Sequence, residues 1–111
     1  MAAKFEVKKS TNGQFLFNLK AANGEFILTS ELYHEKGSAE DGIASVRKNC
    51  TEDGMYERKR SSDGQFYFVM RAGNGQTIGR SELYKAKASM EKGIASVKRT
   101  APAARLVDVS A

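Results

Sequence analysis

The 111 residues carry 18 Lys and Arg against 13 Asp and Glu, a formal net charge of +5, with 41% apolar and 28% charged side chains. That is the composition of a folded globular protein, and the length fits a single domain over residues 1–111 with an ordinary core. One cysteine, Cys50, excludes an internal disulfide framework; the absence of an apolar run after MAAKFEVKKS and of any stretch near the ~20 apolar residues of a membrane helix adds the expectation of a cytoplasmic protein.

In chain order, Lys4 to Ser10 alternates Phe5 and Val7 with Glu6 and Lys8, the pattern of a strand with one buried face. Asn12-Gly13 follows, a dipeptide that accepts positive φ at both turn positions and favours a tight hairpin. Gln14 to Lys20 then sets Phe15, Phe17 and Leu19 on one face of a second strand, Asn23-Gly24 turns again, and a third strand near Glu25 to Thr29 carries Ile27 inward. Three strands joined by two Asn-Gly turns predict an antiparallel meander. Ser30-Glu31-Leu32-Tyr33 breaks the rhythm, with Leu32 and Tyr33 expected to close over the end of the meander. Ser38 reads as a helix N-cap with Glu40 and Asp41 in the first turn, Ile43 and Val46 on the apolar side, and Arg47 and Lys48 at the negative end. Gly42 lies inside that helix at a cost of ~1 kcal/mol against alanine, which points to a close approach where a side chain would not fit.

All of this recurs. Residues 13–46, GQFLFNLKAANGEFILTSELYHEKGSAEDGIASV, match residues 64–97, GQFYFVMRAGNGQTIGRSELYKAKASMEKGIASV, at a constant offset of 51. The second copy brings Asp63-Gly64 and Asn74-Gly75 turns, inward Phe66, Phe68 and Met70, Ser89 as helix cap, Gly93 in the helix, and Pro102 to end it. The offset reaches the tail, where Phe5, Tyr56 and Val107 share a register, so Leu106 to Val109 reads as a third copy of the opening strand, completing the second half. The expected fold is α+β, two β-meander–helix–strand repeats over about 4–54 and 55–109. They form one mainly antiparallel sheet with two helices on one face, related by a pseudo-two-fold axis.

The pattern GQF-x-F, NG, SELY and S-x-E-x-GIASV, given twice across essentially the whole chain, resembles the YegP-like family of small bacterial proteins. The resemblance implies a strand-rich unit with one helix, in which the halves share a sheet and exchange their last strands. It implies no activity, cofactor or catalytic residue, since the family has none established.

The residues themselves offer little chemistry. The sole histidine, His34, and the sole cysteine, Cys50, correspond to Lys85 and Ala101 in the second copy, so neither half of a Cys-His site recurs. No CxxC, histidine pair or carboxylate cluster has metal-ligand spacing, and Glu52 and Asp53 read as solvated. The glycines sit in hairpin turns rather than in phosphate-cradling strand-to-helix loops. No catalytic, cofactor-binding or metal-binding residue is therefore expected, and no cofactor. Two candidate regions remain. The recurring polar clusters Ser30, Glu31, Tyr33 and Ser81, Glu82, Tyr84 could line a groove, although turn serines and glutamates more often satisfy backbone donors. The sheet face opposite the helices, with Leu16, Asn18, Lys20, Tyr67, Val69 and Arg71, is the expected interaction face. The segment Gly64 to Val69 faintly resembles the aromatic strand of RNA-recognition modules, yet only Tyr67 projects away from the core. The expectation is a non-enzymatic, monomeric binding or protein-interaction module, with weak nucleic-acid binding through the basic helix ends and the open face as the alternative.

Overall fold

Four near-identical turns organise the chain. The computed structural model describes residues 3–110, and in it strands β1 (Lys4–Lys9), β2 (Phe15–Lys20) and β3 (Phe26–Ser30) form the first meander, and β4 (Tyr56–Arg60), β5 (Phe66–Arg71) and β6 (Thr77–Arg80) the second. Each hairpin glycine has positive φ: Gly13 at 82°, Gly24 at 87°, Gly64 at 85° and Gly75 at 87°. The residue before it does not, so the expected two-residue turn gives way to a longer one. Gly13 N–H donates to Ser10 O at 3.1 Å and Ser10 N–H to Gln14 O at 2.7 Å, a four-residue turn followed by a glycine bulge. Asn23 and Asn74 supply the reason: each side-chain oxygen accepts from the backbone N–H two residues on, at 3.0 Å, which holds the asparagine in an ordinary conformation.

The strands form one sheet in the order β4-β5-β6-β3-β2-β1-β7, with β7 spanning Arg105–Asp108. Neighbours pair antiparallel except β1 and β7, which are parallel. The two meanders meet where Thr29 faces Arg80. These two residues are themselves 51 apart, so the pseudo-two-fold axis passes between them. Beside the axis the symmetry breaks: Leu28 is fully buried, and its counterpart is Gly79. A Cβ on Gly79 would stand 2.5 Å from Thr29 O and 3.0 Å from Ser30 Cα, so the close pairing of β3 with β6 leaves room for one large side chain rather than two.

Helices α1 (Lys36–Asn49) and α2 (Lys87–Thr100) cover the same face. Their caps, Glu35 and Ala86, fall three residues before the expected Ser38 and Ser89, and neither has a side-chain cap. Ser38 and Ser89 lie inside the first turn, and Glu40 and Asp41 fall after it. Tertiary anchoring sets the start instead. Tyr33 exchanges two 2.7 Å backbone hydrogen bonds with Phe15, and Tyr84 does so with Phe66, so each chain leaves the sheet at a fixed point two residues before its helix cap. With the tyrosines turned inward, the preceding leucines turn out: Leu32 and Leu83 are 51% and 50% exposed and do not close the meander.

Ile43, Val46, Met90, Ile94 and Val97 pack from the helices onto Phe5, Phe17, Leu19, Phe68, Met70 and Ile78 in one continuous core. Each such fully buried side chain contributes roughly 1.5–3 kcal/mol. Phe5 meets Phe17 edge-on at 5.8 Å, and Tyr56 meets Phe68 in the same way at 5.7 Å. The helical glycines make the expected close approach. A Cβ on Gly42 would come within 2.7 Å of the Tyr33 hydroxyl and 3.0 Å of the Phe17 ring, and one on Gly93 within 2.5 Å of the Tyr84 hydroxyl.

The tail departs from the expectation that it completes the second half. β7 crosses over and lies beside β1, with Leu106 opposite Phe5 and Asp108 opposite Val7. After α1 the chain enters β4 directly; after α2 the corresponding place is already filled by β1, and the tail can only add alongside it.

Candidate functional site

Strand alternation assigns a set of side chains to the helix-free face. Register places Lys4, Glu6 and Lys8 there from β1, Leu16, Asn18 and Lys20 from β2, and Thr29 from β3. From the second half come Glu57, Lys59, Tyr67, Val69, Arg71 and Arg80, and from β7 Arg105 and Val107. All six expected interaction residues are on this face, but they do not share one exposure. Asn18 and Val69, at 3% and 8% exposure, offer no side-chain surface. The Asn18 amide oxygen is also taken by the Thr29 hydroxyl at 2.7 Å. Leu16, Lys20, Tyr67 and Arg71 are half-buried.

A glutamate in each half organises the cations. Glu6 lies 3.2 Å from Lys20 Nζ and 3.5 Å from Lys4 Nζ. Its counterpart Glu57 lies 2.6 Å from Arg71 and 4.0 Å from Lys59. Partial burial pulls the Glu6 carboxyl upward, yet Lys20 and Lys4 together outweigh it and hold the group below the usual range. The Arg71 guanidinium does the same for Glu57. The two glutamates leave most of the positive charge unanswered. Seven of the 18 cations and two of the 13 acids point from the strands to this face, leaving eleven of each elsewhere. The strand side chains of this face thus carry a formal charge as large as the surplus of the whole molecule, with Glu31, in the loop after β3, bordering the depression beside Arg80. Residue-by-residue reading overlooked this grouping, although the period-two alternation that carries it is present in the sequence.

The polar clusters come apart. The Ser30 hydroxyl accepts from Phe17 N–H at 2.8 Å and donates to Glu31 O at 2.8 Å. Ser81 repeats this with Phe68 N–H at 3.0 Å and Glu82 O at 2.8 Å. Both serines therefore complete the sheet where β2 and β5 lose a backbone partner. Ser30, Glu31 and Ser81 border a shallow depression of about 590 Å³ at the axis, with Arg80 and Leu32. Tyr33 and Tyr84 lie in two other clefts of about 280 and 330 Å³, each between a helix and the last turn of the opposite meander. Burial, then the charges of Glu31 for Tyr33 and of Glu82 and Glu25 for Tyr84, raise both phenols, so they stay protonated at neutral pH.

His34 is exposed between β3 and α1, near the Gln14 amide at 3.4 Å. Cys50 is buried at the other end of α1, about 20 Å away along a 14-residue helix. Burial pushes its thiol up, so it is neither exposed nor activated. Asp53 is exposed, as expected, and is also bonded to Arg58 and Lys98, at 3.0 Å each. Those two partners lower its carboxyl to about 2. Among the described residues, no three His, Cys, Asp or Glu side chains group as metal ligands, and no helix is long and apolar enough to cross a membrane.

Comparison with known proteins places this architecture. A domain of unknown function, DUF1508, matches twice, at residues 10–57 and 61–108. The UPF0339 protein PA0329 of Pseudomonas aeruginosa is 57% identical over 110 residues, 99% of this chain and 100% of that one. The chain is a member of the YegP-like family. The UPF0339 protein YegP of Escherichia coli K12 is 57% identical over 98 residues, 88% of this chain and 89% of its own. Its solution NMR structure, described as that of a protein of unknown function, superposes with a TM-score of 0.94 at 52% identity, covering 99% of this chain and 95% of that one. The solution structure of the UPF0339 protein SO3888 of Shewanella oneidensis gives 0.93 at 40% identity, covering 99% and 93%. The YegP-like fold, two helices on a seven-stranded, mostly antiparallel sheet built from two repeats, is therefore shared, and none of these relatives carries an enzymatic name.

Proposed function

We propose that the chain is a small non-enzymatic binding module whose working surface is the helix-free face, and that its partner is the acidic surface of another protein. In this reading it acts as a cytoplasmic monomer, one domain of two repeats over about 4–54 and 55–109. The carrying observation is the charge distribution: seven cations against two acids on one face, and balance elsewhere. Such a face steers an acidic partner and fixes its orientation more than it adds raw affinity. Half-buried Leu16 and Tyr67 between the cations supply apolar area that such an interface needs at its centre.

One observation favours nucleic acid as a second reading. Phe26 is 45% exposed, with Lys20 Nζ 4.8 Å above its ring, and with Tyr67 it gives two aromatic side chains among the cations. Such pairs stack unpaired bases. A titration of the 15N-labelled protein with a polyglutamate peptide and, separately, with a mixed-sequence single-stranded oligonucleotide decides between them. The proposal expects amide shifts at Lys59, Tyr67 and Arg80 with polyglutamate, lost in Lys8→Glu/Arg80→Glu. Shifts with the oligonucleotide alone, weakened by Tyr67→Ser, would transfer the face to nucleic acid. Silence from both at low salt would overturn either reading.

A further inference from the structure

The first half of the molecule contains a bound strand that the second half lacks. β7 runs parallel along the outer edge of β1, and the Asp108 carboxylate meets Lys36 Nζ at 2.8 Å. On the pseudo-symmetric side, β4 takes the place of β1, Lys87 that of Lys36, and Phe66 that of Phe15. β4 ends the sheet and pairs only with β5. Lys87 is exposed and, among the described residues, has no carboxylate within ion-pair distance. Beside it lies a groove of about 330 Å³ lined by Arg58, Lys59, Arg60, Phe66, Lys87 and Met90. Phe66 and Met90 form an apolar floor; four cations rim it.

We propose that the outer edge of β4 accepts an extended segment of a partner protein, added as a parallel strand in the manner of β7 on β1. The internal example fixes the register. Leu106 faces Phe5 and Asp108 faces Val7, so the incoming segment sets an aliphatic residue opposite Tyr56 and, two positions on, an acid opposite Arg58 and within reach of Lys87. Main-chain hydrogen bonds give such additions their affinity, and the side chains on alternate positions give specificity. Arg58 already stands at the groove, held by Asp53 at 3.0 Å and Glu91 at 2.7 Å. The same charges argue against a second copy as occupant: β4 reads YERKR, and two such edges side by side would bring six cations together against two acids. Each copy's own β7 is committed to its own β1. Lys59 belongs to both this edge and the helix-free face, so the two sites are told apart by Arg58 and Lys87 on one side and Tyr67 and Arg80 on the other.

The test uses the full chain, 15N-labelled, and a capped peptide with the sequence of residues 103–110, AARLVDVS. Amide shifts are expected at Tyr56 to Arg60 and at Lys87. Replacing the peptide's aspartate by asparagine, or Lys87→Ala in the protein, should weaken binding about fivefold, the scale of one partly exposed charge pair. Lys36→Ala should leave it unchanged. Lys87 is exposed, so its variant folds. No shift at β4 up to about 1 mM peptide, shifts confined to the helix-free face, or shifts at β1 from displacement of β7 would each overturn the proposal. Concentration-dependent dimerisation through β4 without peptide would overturn the choice of partner.

Discussion

Two glycines show how much the neighbouring atom matters. At Gly42 an added methyl meets the end of the Tyr33 side chain first, at 2.7 Å, and the Phe17 ring at 3.0 Å. At Gly79 it meets the backbone of β3, with Thr29 O at 2.5 Å. A tyrosine tip can shift; a paired strand in the centre of a sheet cannot. Alanine also favours a helix over glycine by ~1 kcal/mol, a gain available at Gly42 and not at Gly79. Gly79→Ala should therefore cost about 3 kcal/mol, the upper part of the overpacking range. Gly42→Ala should cost roughly 1 kcal/mol, and in a Tyr33→Phe background, without the clashing oxygen, less still. Urea midpoints of the three variants and the double mutant check this. Equal losses at Gly42 and Gly79 would mean that the tyrosine is as immobile as the sheet.

At the scale of the element, β7 is held by its pairing with β1, by Lys36 on Asp108, and by the Arg47 guanidinium donating to Ala104 O at 2.6 Å. Arg47 also lies 5.3 Å from the Phe5 ring, as Lys98 lies 5.6 Å from the ring of Tyr56. Ending the chain at residue 104 keeps the arginine contact and removes the strand. The shortened protein should stay folded at a lower urea midpoint, with faster amide exchange at Val7 than at Phe17, which pairs with it across β1 and β2. Equal acceleration at both would make the tail part of the global fold. Strand number, the meanders, the shared core and the helical glycines could be foreseen from Phe5, Val7, Phe17 and Gly42, because period and duplication encode them directly. The helix starts could not, since Ser38 satisfies the cap pattern while the Tyr33 bridge decides where the chain leaves the sheet. Nor could the placement of β7, because Val107 matches Phe5 and Tyr56 alike and only the occupied place beside it sends the tail to β1. The clusters around Ser30 and Ser81 were legible as structure, and the grouping of cations on one face became visible only once all seven strands were laid in order.

For the molecule as a whole, pH separates two sets of groups that work in opposite directions. Asp53, Asp108, Glu57, Glu91 and Glu6 all titrate below their usual range in the folded state; cationic partners dominate the shift at Asp53, Asp108, Glu57 and Glu91, and at Glu6 they overcome the opposing pull of burial. A depressed carboxylate stabilises the fold above its unfolded pKa and loses that contribution as pH falls through the folded value, so stability should decline from about pH 4.5 downward. Tyr56, Tyr33, Tyr84 and Cys50 are raised, chiefly by burial. These groups bind protons more tightly folded than unfolded, so their contribution holds below about pH 9, near the lowest of their unfolded values, and is lost as pH rises from there through the folded ones. Tyr56 dominates the alkaline side because burial, then the charges of Cys50 and Asp53, raise it furthest of the four, and its ionisation also removes the bond its hydroxyl donates to Cys50 O at 2.6 Å. Phenylalanine already occupies the equivalent position as Phe5, so Tyr56→Phe should pack normally, cost roughly 1 kcal/mol at neutral pH for the lost hydrogen bond, and flatten the alkaline limb. Asp53→Asn should flatten the acid limb and, because the Asp53 charge is only the least of the causes that raise Tyr56, change the alkaline one far less than Tyr56→Phe does. Thermal midpoints from pH 2 to pH 11 for the wild type and both variants would show this crossed pattern. An alkaline limb unchanged in Tyr56→Phe would instead assign it to Tyr33, Tyr84 or Cys50.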